Sequence, residues 1–328
     1  MQTPIRIGIV GYGHLGRGVE SALTQNSDME LVGIFTRRPP NQIQPINPAA
    51  KVLAYDDLYT MKNKVDVLIL CGGSREDLPV QGPELAAHFN TVDSFDTHAR
   101  IPEYFEKMQQ TALANDQVAV ISVGWDPGLF SINRLIGEAV LPDGQTDTFW
   151  GKGLSQGHSD AVRRVSGVKA AVQYTLPMEE AMDLVRSGVR PKLEARQKHR
   201  RECYVVLEEG ADAEKVKQAI VSMPDYFADY DTEVHFIDMK TLESEHSAMP
   251  HGGFVIRSAK SAAQTNQTYE FSLQLGSNPE FTSSVLVAYA RAAYRLAQTK
   301  QYGAFTVFDI APGLLSPYPA HELRARLL

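Results

Sequence analysis

Six residues constrain this chain more than any others: Gly11-Tyr12-Gly13-His14-Leu15-Gly16, directly after the apolar run Ile5-Arg6-Ile7-Gly8-Ile9-Val10. An apolar run, a glycine-rich turn and a helix with Val19 and Leu23 on one face together form the opening of a dinucleotide-binding unit. Gly11 permits the tight turn. Gly13 lets the backbone approach a pyrophosphate, and Gly16 lets the helix pack close on the strand. The helix start then presents free N–H groups and its positive dipole end to the phosphates. Glycine-rich turns also occur where nothing is bound, so the strand before and the helix after carry the reading.

The second strand is expected over residues 29–35. An NAD site usually has an acid at the end of this strand to accept from the ribose 2′-hydroxyl. Here the strand runs into Thr36-Arg37-Arg38. There is no acid, and there are two guanidinium groups whose forked donors match phosphate oxygens. The segment therefore reads as an NADP(H) site. The ordinary alternative is a pair of solvated charges in a loop with Pro39 and Pro40.

At 328 residues the chain is long enough for two domains. Its net charge of -7 and the lack of a basic stripe argue against a nucleic-acid surface. Cys71 and Cys203 lie far apart and outside any C-x-x-C pair, which disfavours a disulfide framework or a zinc site. His246 and His251 lack a companion carboxylate pattern, so no metal is expected. The first apolar run is short, interrupted by Arg6, and reads as a strand rather than a signal peptide. No segment approaches the ~20 apolar residues of a bilayer span. The expectation is a cytoplasmic protein with no membrane partner.

Along the chain, residues 65–70, 91–95 and 117–121 read as further strands, with a helix over 102–114. This alternation predicts an α/β fold with a doubly wound, Rossmann-type parallel sheet. At Gly124 the style changes. Asp126 and Pro127 have the chemistry of a helix N-cap and first helical residue for a helix over 129–140. Strand-like pieces follow at 148–150, 202–207, 232–237, 253–257 and 268–275. Helical pieces lie between, at 178–187 and 213–222. They predict a second, α+β domain on an open, mostly antiparallel sheet, suited to substrate binding and dimer contacts. An amphipathic helix over 281–299 and a buried-type strand over 304–310 read as a return to the first domain. The expected division is 1–123 plus 281–328 for the nucleotide and 124–280 for substrate and dimerisation.

Three polar clusters carry possible chemistry. Asp96 and Asp126 each follow a strand, and successive strand ends of a doubly wound sheet converge on one crevice. Two carboxylates there suit a substrate ammonium through charge-assisted bonds. The plain alternatives are that Asp126 caps a helix and Asp96 shapes a turn. The third cluster, residues 150–159, reads as a glycine-rich polar loop in which Trp150 is either an apolar wall or core. Arg200 or Arg201 has the fork for a substrate carboxylate, although composition alone favours an exposed charge run.

With these segments assembled, the chain resembles the NADP-dependent meso-diaminopimelate dehydrogenase family over nearly its full length. The carrying segments are the glycine turn and residues 32–38 (VGIFTRR), 124–133 (GWDPGLFSIN) and 149–160 (FWGKGLSQGHSD). To these are added 171–177 (AVQYTLP), 223–227 (MPDYF) and 249–253 (MPHGG). The Glu-Lys-Pro motif of sugar and inositol dehydrogenases is absent from the sequence.

The resemblance implies reversible oxidative deamination at the D-centre of meso-2,6-diaminopimelate, giving L-2-amino-6-oxopimelate, ammonia and NADPH. It also implies a homodimer. On matching positions it implies that Asp96, Asp126, Trp150, Gln156 and Gly157 contact substrate near the reacting centre. Thr175, Arg201, His251 and Asn278 would hold the L-centre, with Arg201, or alternatively Arg200, on its carboxylate. Implied cofactor contacts are Gly11, Tyr12, Gly13, His14, Leu15, Gly16, Thr36, Arg37, Arg38, Cys71, Gly72, Gly73, Ser74, Ser94, Phe95 and Asp96. Of these, His14, Thr36, Gly72 and Gly73 fall where family members vary, which matters little in loops that bind through their backbone.

In this reaction the substrate ammonium must lose a proton before its lone pair can drive hydride departure, and Asp96 or Asp126 is placed to take or relay it. Two other readings share the sequence features. One is a broader D-amino acid dehydrogenase, distinguished by turnover of simple D-amino acids. The other is a non-catalytic NADP(H)-binding sensor, distinguished by tight cofactor binding without ammonia release.

Overall fold

A computed structural model describes residues 3–328. The first two residues of the expected nucleotide domain lie outside the described residues. The chain forms two compact units, one from the residues up to Ile132 together with Pro279–Leu328, the other from Asn133–Asn278.

The first unit alternates β1 (Ile5–Val10), α1 (His14–Leu23), β2 (Met29–Thr36), β3 (Val52–Ala54), β4 (Val67–Leu70), α2 (Leu78–Ala86), β5 (Thr91–Asp93), α3 (Ile101–Ala114), β6 (Val118–Val120) and the start of α4 (Leu129–Val140). Every strand pairing in it is parallel. The strands run in the order β3-β2-β1-β4-β5-β6, and one further strand added on the far side comes from the end of the chain. The order reverses between β1 and β4, which is where a doubly wound sheet opens its ligand crevice.

Both faces of this sheet are apolar because helices cover both. Along β4, Val67 and Ile69 enter one core with Ile7, Ile9 and Val19. Leu68 and Leu70 enter the other, with Leu78, Tyr104 and Met108. Each fully buried aliphatic side chain of this kind stabilises the fold by about 1.5–3 kcal/mol.

The second unit holds the rest of α4, then β7 (Gly144–Trp150), β8 (Gly153–Leu154), α5 (Gln156–Arg163), β9 (Val168–Pro177), α6 (Glu179–Arg186), α7 (Ala195–Lys198), β10 (His199–Leu207), α8 (Ala213–Val221), β11 (Asp231–Phe236), α9 (Met239–Glu245), β12 (His251–Lys260) and β13 (Asn266–Leu275). Its strands form two sheets rather than the one open sheet expected. The first is four-stranded, β11-β10-β9-β8, and the second three-stranded, β13-β12-β7. Only β10 and β11 pair in parallel.

The chain then runs through α10 (Asn278–Gln298), β14 (Gly303–Phe305), which pairs with β6, and α11 (Ala320–Leu327). Val285, Leu286, Tyr289 and Leu296 of α10 join the β1 core. Arg291, 2% exposed, clamps Asp28 through two bonds of 2.6 and 2.8 Å. The strand expected over 304–310 stops at Phe305, because Asp309 accepts from the Thr306 N–H and hydroxyl and folds the chain into a turn.

Candidate active site

The nucleotide crevice lies beyond the carboxyl ends of β1, β2 and β4. The turn 11–13, the segment 36–38 and the loop 71–73 enclose a cavity of about 250 Å³. Gly11 has a φ of +88°, a conformation glycine adopts without penalty. A Cβ on Gly16 would lie 2.3 Å from the Gly11 carbonyl oxygen, so the third glycine lets α1 approach the turn itself. A Cβ on Gly13 would meet no heavy atom within 4 Å, leaving that stretch of backbone uncovered. His14 is exposed and Leu15 half-buried at the start of α1.

The Tyr12 side chain turns away from the crevice and donates to the buried Glu20 carboxylate, which also accepts the Asn47 N–H at 2.8 Å. Arg38 donates to the Tyr12 carbonyl at 2.5 Å, and Thr36 is buried beneath the pair, accepting from the Arg38 N–H. Arg37 pairs with Asp77 at 2.5 Å, and Asp77 also accepts the Gly73 N–H at 2.8 Å. The acid missing from the end of β2 thus enters from the loop after β4, holding Arg37 at the crevice. The pair is exposed and so worth about 1 kcal/mol or less, which leaves Arg37 free to exchange its partner for a phosphate. Two guanidinium groups around a cradle of uncovered backbone donors fit a 2′-phosphorylated dinucleotide.

Cys71 and Gly72 line the same cavity. The Ser74 hydroxyl accepts the Asp96 N–H at 2.8 Å. Ser94 is half-buried, and Phe95 is 1% exposed and stacked on Tyr104 at 4.3 Å. Asp96 is exposed and Asp126 half-buried, on the loops after the paired strands β5 and β6. Asp126 lies ahead of α4. That helix starts three residues later, after a closed turn in which the Leu129 and Phe130 N–H groups donate to the Gly124 and Trp125 carbonyls.

In the second unit the register of β9 and β10 puts Thr175 directly opposite Arg201. Strand alternation separates the two arginines. Arg201 is 7% exposed, donates to the Thr175 hydroxyl and lies 4.0 Å from the Tyr230 ring centroid. Its Nε is buried without a hydrogen-bond partner, and it forms no ion pair among the described residues. Burial pulls its pKa down. Arg200, half-buried, instead pairs with the buried Glu202 and with the exposed Glu233. The exposed charge-run reading thus fails for Arg201, and Arg200 is half-buried and paired.

Residues 150–159 are more ordered than a loop, since they contain β8 and the start of α5. Ser155 caps α5 and bonds the His158 ring at 2.8 Å. Burial, and then Arg201, push His158 down to about 4, so the ring is neutral at pH 7. Gln156 donates to the Met249 sulfur at 3.5 Å, and the Asn278 N–H donates to the Met249 carbonyl at 2.9 Å. His251 begins β12 two residues later, its ring against Gly153. Gly157 is uncovered, with no heavy atom within 4 Å of where its Cβ would be. Trp150 is 38% exposed and stacks on His199 at 5.4 Å, so it is not core.

Three residues that matter to these sites gave weak sequence signals. Glu20 is an acid on the buried face of α1, and Asp93 an acid in a buried strand. Both patterns mark a bonded carboxylate. Tyr230 has no local signal, because only the tertiary fold brings it under Arg201. Among the described residues there is no cluster of metal ligands and no helix long and apolar enough to cross a membrane.

Residues 124–277 match the family model described as the diaminopimelic acid dehydrogenase C-terminal domain. The meso-diaminopimelate D-dehydrogenase of Ureibacillus thermosphaericus is 63% identical over 326 residues, covering 99% of this chain and 100% of that one. A Corynebacterium glutamicum DAP dehydrogenase solved in complex with DAP is 48% identical, with a TM-score of 0.89 and 100% of both chains covered. An engineered D-amino acid dehydrogenase bound to NADP+ is 46% identical, with a TM-score of 0.84, covering 99% of this chain and 100% of that one.

Proposed function

This chain belongs to the meso-diaminopimelate D-dehydrogenase family, and on that premise we infer that it catalyses the reversible NADP-dependent oxidative deamination of meso-2,6-diaminopimelate at its D-centre. The products are L-2-amino-6-oxopimelate, ammonia and NADPH. We assign nucleotide binding to 1–123 and 281–328, and substrate binding and dimerisation to 124–280.

Bound NADP+ supplies the acceptor for the hydride leaving the D-carbon. Arg37 and Arg38 take its 2′-phosphate, and the backbone of residues 11–16, 71–74 and 94–96 takes the remainder. Asp96 and Asp126 hold the reacting ammonium, and one of them takes or relays its proton so that the nitrogen lone pair becomes available. Trp150, Gln156 and Gly157 border the D-head. Thr175, Arg201, His251 and Asn278 grip the L-head, and gripping the far end fixes which head reacts.

The observation that carries this reading is the buried Arg201 guanidinium with an unsatisfied Nε. A buried charge without an acidic partner is costly, and a substrate carboxylate arriving in bidentate geometry completes it. Arg201→Ala is expected to lower kcat/KM for diaminopimelate by about 10²–10³-fold, the range for removing one partner of a desolvated charge pair. NADPH affinity should stay within about twofold. Equal loss of both would make Arg201 a structural residue and overturn the assignment.

A homodimer is supported by the open edge strand β13 and by the exposed Leu135, Ile136 and Val140 on α4. A cytoplasmic location accords with a nicotinamide-linked reaction on a small polar metabolite.

A further inference from the structure

Asp93 is fully buried at the end of β5, and its carboxylate touches neither the nucleotide cavity nor solvent. One oxygen, Oδ1, accepts two backbone N–H groups, from Phe95 at 3.0 Å and from Ser122 at 3.1 Å. Phe95 precedes Asp96, and Ser122 lies four residues before Asp126 in the loop after β6. The other oxygen accepts the Tyr104 hydroxyl at 2.7 Å. The Asp93 carbonyl also accepts the Val123 N–H at 3.0 Å. Ser122 has a φ of +57°, a left-handed conformation that a non-glycine residue holds only when its surroundings impose it.

We propose that Asp93 is a positioning residue that sets the spacing between the loops carrying Asp96 and Asp126. The inference rests on the roles given above to those two aspartates. A single acceptor oxygen shared by two loops adds a side-chain link beyond the backbone bond from Val123, and it reaches the residue directly before Asp96. The Ser74 hydroxyl on the Asp96 N–H fixes only one of the loops, so it cannot replace that link. Tyr104, bonded to Oδ2 and stacked on Phe95, orients the carboxylate so that Oδ1 faces both amides.

The test measures kcat for diaminopimelate oxidation together with binding of 2′,5′-ADP, which reads only the Arg37–Arg38 end of the crevice. Asp93→Ala is expected to lower kcat at least 30-fold with 2′,5′-ADP affinity within threefold. Asp93→Asn keeps an oxygen at Oδ1 and is expected to restore kcat to within fivefold of the parent. Should the alanine variant fail to fold, Asp93→Glu keeps both acceptors but moves them by one methylene, and a fall of about tenfold is expected. Unchanged kcat in Asp93→Ala or Asp93→Glu, an asparagine variant as slow as alanine, or parallel loss of 2′,5′-ADP would overturn the proposal. Asp96→Asn and Asp126→Asn run in the same assay separate the two levels. Full rates in both would sink the active-site reading itself. Slow aspartate variants beside a fast Asp93→Ala would sink only the positioning role.

Discussion

The two units present ligands with different materials. The crevice of the first is mostly backbone: a glycine turn, loop ends and uncovered N–H groups, with Arg37, Arg38 and Asp77 the charged side chains on its wall. The candidate site of the second is mostly side chain, with Arg201 on Thr175, Tyr230 against its guanidinium and His158 kept neutral. A backbone site recognises a shape shared by every dinucleotide and tolerates side-chain change. A side-chain site recognises one molecule, and each replacement alters it.

The sharpest way to break this contrast is at the arginine pair, where the backbone crevice borrows side-chain chemistry. Arg37→Ala with Arg38→Ala is expected to weaken NADPH about 100-fold while NADH changes less than threefold, read by fluorescence titration. Unchanged preference would place the 2′-phosphate elsewhere. A second test lies within the glycine turn. Gly16→Ala puts a Cβ against the Gly11 carbonyl and should cost roughly 2 kcal/mol of stability, in the range of overpacking, and cofactor affinity with it. Gly13→Ala meets nothing and should leave the unliganded protein within about 0.5 kcal/mol of the parent. Equal effects in a denaturant titration would contradict the packing account of the turn.

The smallest effect is in the response to acid, and it has opposite signs in the two units. His158 and His199 in the second unit are both pushed down to about 4, chiefly by burial. Between pH 6.5 and 4 the unfolded chain binds those protons more readily, so their contribution to stability is lost as pH falls through that window. Asp93 in the first unit is pushed up to about 6 by burial, against the bonds from Phe95, Tyr104 and Ser122. Between pH 6 and 4 the folded form holds the extra proton, so this group adds stability as pH falls. Amide exchange at pH 7 and pH 5 should therefore show protection lost from the β9–β10 sheet before the β4–β5 region. Uniform loss across both units would contradict it.

The same contrast explains what the sequence made legible. The first strand and the glycine turn were readable residue by residue, because the backbone at Gly11 and the packing at Gly16 leave no room for a side chain. The parallel sheet followed from its continuous apolar strands, whose two cores demand helices on both faces. The short β3 and the proline-containing α2 carry little periodic signal, and the division of the second unit's strands into two sheets depends on pairing between distant segments. Asp96 and Asp126 could be placed at strand ends, but the shared Asp93 oxygen between their loops could not. Arg200 and Arg201 are adjacent in sequence and equal in charge. Only the strand's alternation, fixed by pairing with β9, buries one against Thr175 and turns the other toward Glu202 and Glu233. Tyr230 reaches Arg201 through tertiary structure alone.

The most direct measurement of the central claim is initial-rate NADPH formation with the meso, LL and DD isomers of diaminopimelate as separate substrates. A site that grips an L-head while a D-head reacts predicts turnover of the meso isomer, with the LL and DD isomers slower by at least about 100-fold, the discrimination expected when a buried polar group is left unpaired. Comparable rates with all three isomers would contradict the account.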